Sequence, residues 1–173
     1  MDYIFTLKYR LPDEGADLDA LAERLGSGGC DDALLGLGQP GRLALEFTRE
    51  AASARQAVLG AMADVRAAIP DAQLVEASPD FVGLTDVAQV LGLSRQNLHK
   101  LMSKYRHSFP SPAHEGSTTI WRLAQVLSWL QAKGSYKLEQ GLIDLSQATM
   151  QVNIARDAAM AAPLPADVVA MLR

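Results

Sequence analysis

Over the first eleven residues, Tyr3, Phe5, Leu7, Tyr9 and Leu11 alternate with Ile4, Thr6, Lys8 and Arg10, the period of a strand buried on one face. Asp17 then supplies a cap for a short helix bearing Leu18, Leu21 and Leu25, which the glycines from Gly26 to Gly29 end. Leu34 to Leu37 and Leu43 to Phe47 flank Gly38-Gln39-Pro40-Gly41, a hairpin pattern. Ser53 with Gln56 has capping-box spacing, and it opens a helix whose buried stripe is Val58, Met62, Val65 and Ile69 until Pro70 terminates it. A last strand falls at Gln73 to Ala77. The order βαββαβ over residues 1–78 predicts a ferredoxin-like α+β domain, two helices covering one face of an antiparallel sheet. Ser78-Pro79-Asp80 marks its boundary.

Residues 81–134 carry a different pattern. A helix opening at Thr85 runs through Val87, Ala88, Val90 and Leu91; Gly92 lets the chain turn and Leu93 plugs the junction. Ser94 caps a second helix with Leu98, Leu101, Met102 and Tyr105 on one face and Gln96, His99, Lys100, Ser103 and Lys104 on the other. The prolines of Phe109-Pro110-Ser111-Pro112 forbid a helix and predict an extended strand. Glu115-Gly116 then turns the chain into the β-rich run from Ser117 to Trp121. A third helix carries Leu123, Val126, Leu127 and Leu130, with Trp129 beside them, until Lys133-Gly134 stops it. This is the order of a winged helix-turn-helix, with Ser94 to Arg106 as recognition helix and Phe109 to Trp121 as wing. Trp121 and Trp129 read as core residues rather than base contacts.

In residues 135–173, Leu138, Leu142, Leu145, Thr149, Val152, Arg156 and Ala159 recur in steps of four and three, a heptad-like seam interrupted by Thr149 and Arg156. Two packings are open to such a helix: against its own chain, or against a second copy as a dimerisation element. Pro163 and Pro165 end it, and Asp167 to Leu172 make either a last short helix or a frayed segment.

The central segment resembles the excisionase-like and MerR-like winged helix-turn-helix proteins, in particular the short AlpA-type bacterial regulators. The matching residues are Ala88, Leu91, Gly92, Ser94, Arg95, Gln96 and Leu101 in the helices. Phe109, Pro110, Pro112, Gly116, Trp121 and Arg122 match across the wing, and Trp129 and Leu130 at the close of the third helix. The resemblance covers about residues 83–133 and implies double-stranded DNA as the partner. Arg122 resembles the family's phosphate contact after the wing.

Charge is segregated along the chain. Residues 1–80 hold 7 Lys+Arg against 14 Asp+Glu, net −7; residues 81–136 hold 6 against 2, net +4; residues 137–173 hold 3 against 4, net −1. Phosphate contact is decided within roughly a Debye length of about 8–10 Å, so the basic third can bind DNA although the whole chain is acidic. His99, His107 and His114 all fall in that third, where mild acidification adds positive charge. An RNA-binding role for the acidic first domain is disfavoured, because such a sheet wants a basic rim.

Catalytic and metal chemistry find little footing. Cys30 sits next to Asp31 and Asp32, which raise a thiol pKa where a nucleophile needs it lowered. The three histidines lack zinc-ligand spacing, and no Gly-Lys-Ser/Thr follows the glycines between 26 and 41. A non-enzymatic protein with no cofactor and no metal is therefore expected. Met1-Asp2-Tyr3 lacks a signal-peptide pattern and no apolar run reaches the ~20 residues of a bilayer span, so a cytoplasmic, membrane-free location is expected.

The expected function is sequence-specific binding of double-stranded DNA by a transcriptional regulator acting as a homodimer. Ser94 caps the recognition helix. Arg95, Lys104 and Arg122 are expected on phosphates, and Gln96, His99 and Lys100 on base edges. Asn97 can offer adenine a donor and acceptor pair although it lies nearer the buried stripe, and His114, Ser117 and Thr118 are expected to reach the backbone or minor groove from the wing. The acidic domain is left for self-association, an effector or a protein partner. The alternatives are an excisionase-like architectural accessory protein that bends DNA, and an antitoxin or defence-system interaction subunit.

Overall fold

The computed structural model describes residues 1–36, 38–134 and 136–172. Leu37, at the end of one predicted strand, and residues 135 and 173, which bound the predicted helical extension, lie outside the described residues. The chain is a mixed α+β protein with a four-stranded antiparallel sheet, a two-stranded sheet and, among the described residues, seven helices.

Asp2–Arg10 (β1) lies between Arg42–Glu50 (β3) and Gln73–Ser78 (β4), and Ala33–Gly36 (β2) flanks β3, giving the order β2-β3-β1-β4. The alternation read in β1 decides which face is buried: Tyr3, Phe5, Leu7 and Tyr9 turn inward, and Ile4, Lys8 and Arg10 are exposed. Phe5 and Phe47 are register partners and stack with ring centroids 5.2 Å apart. Leu18–Ser27 (α1) and Ala54–Ala68 (α2) close this core with Leu21, Leu25, Val58 and Val65, each such aliphatic burial stabilising by about 1.5–3 kcal/mol. Asp17 caps α1 by accepting from Asp19 N and Ala20 N, and Ser53 caps α2 by accepting from Gln56 N at 3.3 Å.

The glycines end α1 later than expected. The helix runs through Gly26 to Ser27, and the reversal comes at Gly29, whose φ of +95° suits a residue without a side chain. Arg49 of β3 fixes the loop that follows. Its guanidinium donates to Asp32 at 2.7 and 2.8 Å, to Asp64 of α2 at 2.7 Å and to the Gly29 carbonyl at 2.7 Å.

A second core forms around Phe81–Val82 (β5), which pairs with Trp121–Arg122 (β6). Leu84–Val90 (α3), Arg95–Lys104 (α4) and Leu123–Lys133 (α5) enclose it with Val87, Leu98, Leu123, Leu127 and Leu130. Two expectations change here. The cap of α3 is not Thr85: the helix begins at Leu84 after Gly83, whose N–H donates to the Asp86 carboxylate at 2.7 Å. The two-stranded wing reduces to one bridge, His114 with Ile120, while Trp121 and Arg122 pair with β5 instead. Pro110 and Pro112 bring no N–H to a ladder. Phe109 is drawn into the core between Trp121 and Trp129, and Trp121 Nε1 donates to the Pro110 carbonyl at 3.2 Å.

Gln140–Met160 (α6) spans both cores, burying Ile143 in the second and Leu145 and Ala148 in the first. Of the seam residues, Leu145 and Thr149 are buried against the helix's own chain, Leu142, Val152 and Arg156 are half-buried, and Ala159 is exposed. The connection after β4 is knitted to α6 by polar groups. Thr149 Oγ1 donates to the Pro79 carbonyl at 2.6 Å, and Asn153 Nδ2 donates to Asp80 at 2.7 Å. Asp80, fully buried, also pairs with Arg122, and its carbonyl accepts from Leu123 N at 2.7 Å. Ala166–Met171 (α7) follows and buries none of its residues.

Candidate nucleic-acid interface

Leu98 on α4 is fully buried, and Leu101, Met102 and Tyr105 are half-buried, which fixes the rotation of the helix about its axis. That rotation turns the other side outward: Ser94, Arg95, Gln96, Asn97, His99, Lys100, Ser103 and Lys104 are all exposed. Asn97, expected nearer the buried stripe, is among them. Ser94 Oγ accepts from Asn97 N at 3.2 Å, closing the first turn. The helix stops at Lys104 with Tyr105 as its cap, so the predicted stretch to Arg106 is two residues longer than the helix.

Neither Arg95, Lys100 nor Lys104 forms an ion pair with another described residue. Arg95 in particular does not pair with Asp86, whose carboxylate is occupied by Gly83 N–H. Lys104 lies with its ammonium 5.2 Å from the centroid of the Tyr105 ring, and Lys133 of α5 is 4.3 Å from the same ring, so α4 and α5 present cations side by side. Arg106 is exposed too and donates to His107 Nε2 at 3.1 Å. Sequence reasoning passed over it because the amphipathic stripe that organises α4 ends one residue earlier.

The hairpin tip stands beside α4. A groove of about 570 Å³ separates them, with Arg95, His99 and Met102 on the helix side and Glu115, Ser117 and Thr118 on the other. His114, Ser117 and Thr118 are exposed, and Ala113 N and His114 N donate to the Ile120 carbonyl at 2.8 and 3.2 Å. Of the eleven residues singled out by sequence, ten therefore lie on the exposed side of α4 or on the adjoining hairpin.

Arg122 is the exception and a correction. Its guanidinium pairs with the buried Asp80 and lies 4.3 Å from the Phe81 ring centroid, and its side chain is only 15% exposed. A buried carboxylate needs a cation more than an exposed phosphate contact does, so Arg122 holds the interior together. The signal that could have revealed this was Asp80 itself, an acid next to apolar Phe81 and Val82.

Among the described residues no group of three or more His, Cys, Asp or Glu could hold a metal ion, and no helix is long and apolar enough to cross a membrane. Comparison of the chain with protein-family models, with curated proteins and with solved structures found no match.

Proposed function

We propose that this chain is a sequence-specific double-stranded DNA-binding regulator, a cytoplasmic homodimer that presents α4 to the major groove. The observation that carries the reading is the outward face of α4, where Arg95, Gln96, Asn97, His99, Lys100 and Lys104 are exposed together while Leu98 anchors the opposite face. The turn at Gly92, with φ of +63°, and the hairpin beside α4 support a winged helix-turn-helix for residues 81–134. The strand order β2-β3-β1-β4 with α1 and α2 packed on the sheet supports a ferredoxin-like reading of residues 1–78.

On this reading Arg95 and Lys104 meet phosphates and set the register, Gln96, His99 and Lys100 address base edges, and the hairpin residues His114, Ser117 and Thr118 touch the flanking backbone. Arg122 takes no part.

Selection of bound duplexes from a random pool tests the proposal. A recurring consensus is expected, with Gln96→Ala relaxing preference at one base position. Recovery of random sequence alone would contradict it.

A further inference from the structure

The segment after α6 is unlike the rest of the molecule. Every described residue from 161 to 172 is exposed, and the apolar ones are large: Leu164 at 51%, Val168 at 50%, Met171 at 86% and Leu172 at 82%. A helix of this composition gains nothing by standing in water, since burying each such side chain stabilises by about 1.5–3 kcal/mol. Its apolar surface calls for a partner surface.

The same chain carries a groove of matching character. It measures about 660 Å³, lies between the edge strand β4 and the last turns of α6, and is lined by Leu74, Val75, Ala159 and Met160 together with Gln73, Arg10 and the mutually paired Arg156 and Asp157. We propose that α7 of one copy docks into this groove on a second copy, giving a dimer joined by two exchanged arms. This deepens the dimer element of the function proposed above and uses none of the α4 surface.

Charge complementarity and chain geometry both favour a second copy. The one charged residue of α7 is Asp167. Arg10 at the groove rim forms no ion pair with any described residue, which leaves it available to that carboxylate. Return of the arm to its own groove is hindered because Met160 lines that groove and α7 begins at Ala166. Only residues 161–165 are free to reverse the chain, and every residue of α7 stands exposed rather than seated in that groove. A symmetric exchange lets both arms and both grooves be satisfied at once.

The test uses the full chain without DNA, so its failure and a failure of duplex binding are separately visible. Sedimentation of the native protein is expected to give twice the monomer mass, and Val168→Asp, on a helix with no buried residue, is expected to halve that mass while leaving the thermal unfolding of the monomer fold intact. Val75→Cys and Val169→Cys proteins are then mixed and oxidised, with Cys30 left in place because it is buried. A disulfide-linked pair formed between the two variants supports arm exchange. A monomeric native mass, a Val168→Asp protein that stays dimeric, or cross-linking confined to the interior of a V75C/V169C double variant would each overturn it.

Discussion

The side-chain amide of Asn153 pairs with both backbone groups of Ala77, accepting from its N–H at 2.8 Å and donating to its carbonyl at 2.8 Å. Ala77 lies on β4, the outer strand of the sheet, so a single residue of α6 occupies backbone groups that an open edge would offer to another chain. The same Nδ2 reaches Asp80, which ties the sheet, the connection to the second core and α6 into one polar joint. Asn153→Leu should therefore cost about 2–4 kcal/mol, since buried donors and acceptors left unpaired each lose about 1–3 kcal/mol. Urea unfolding measures this, and a change below about 0.5 kcal/mol, the range of ordinary surface substitutions, would show that the joint does not bear on stability.

Asp80 and Asp32 should impose opposite pH dependences. Burial holds the Asp80 carboxyl above the usual range, while the Asn153 bond and the Arg122 charge pull it back and Glu76 pushes it further up. Because its folded value lies above the unfolded one, Asp80 contributes stability most fully below the unfolded carboxylate range of about 4 and loses that contribution as pH rises through the raised value. Arg49 does the reverse to Asp32: its hydrogen bonds hold that carboxyl below the usual range. The contribution of Asp32 is present above the unfolded range and is lost as pH falls through the depressed value. In unfolding free energy measured against pH, Asp32→Asn should flatten the acid-side decline and Asp80→Asn should steepen it. Identical slopes in all three proteins would contradict both assignments.

Cys30 should be inert while the protein is folded. It is 1% exposed, and burial first, then the Asp64 carboxylate, pushes its thiol up to about 11. Labelling by a thiol reagent near neutral pH is expected to follow the unfolding transition in rising denaturant. Rapid labelling of the native protein would mean that the α1 to β2 loop opens without global unfolding.

Local patterns were legible in the chain, and contacts between distant segments were not. Tyr3, Phe5, Leu7 and Tyr9 reveal the buried face of β1 because a strand's period of two needs no knowledge of the partner strand. Leu98 likewise fixes which side of α4 faces out, so most of the candidate interface could be read directly. The burial of Ser146, Thr149 and Asn153 was hidden, since polar side chains read as solvent-facing until the backbone groups that satisfy them are seen. The role of Arg122 was hidden for the same reason: its partner, Asp80, is 42 residues away. The predicted two-stranded wing shrinks to the His114–Ile120 bridge, because Pro110 and Pro112 bring no N–H to a longer ladder.

The claim that the outward side of α4 meets a duplex is tested most directly by the salt dependence of affinity for double-stranded DNA, comparing the native protein with Arg95→Ala and Lys104→Ala. The native protein should bind in dilute buffer with log affinity falling linearly in log salt, and each substitution should weaken binding to all sequences and reduce the slope by about 1. A native protein that does not associate with duplex in dilute buffer, or variants whose slopes equal the native one, would contradict the account.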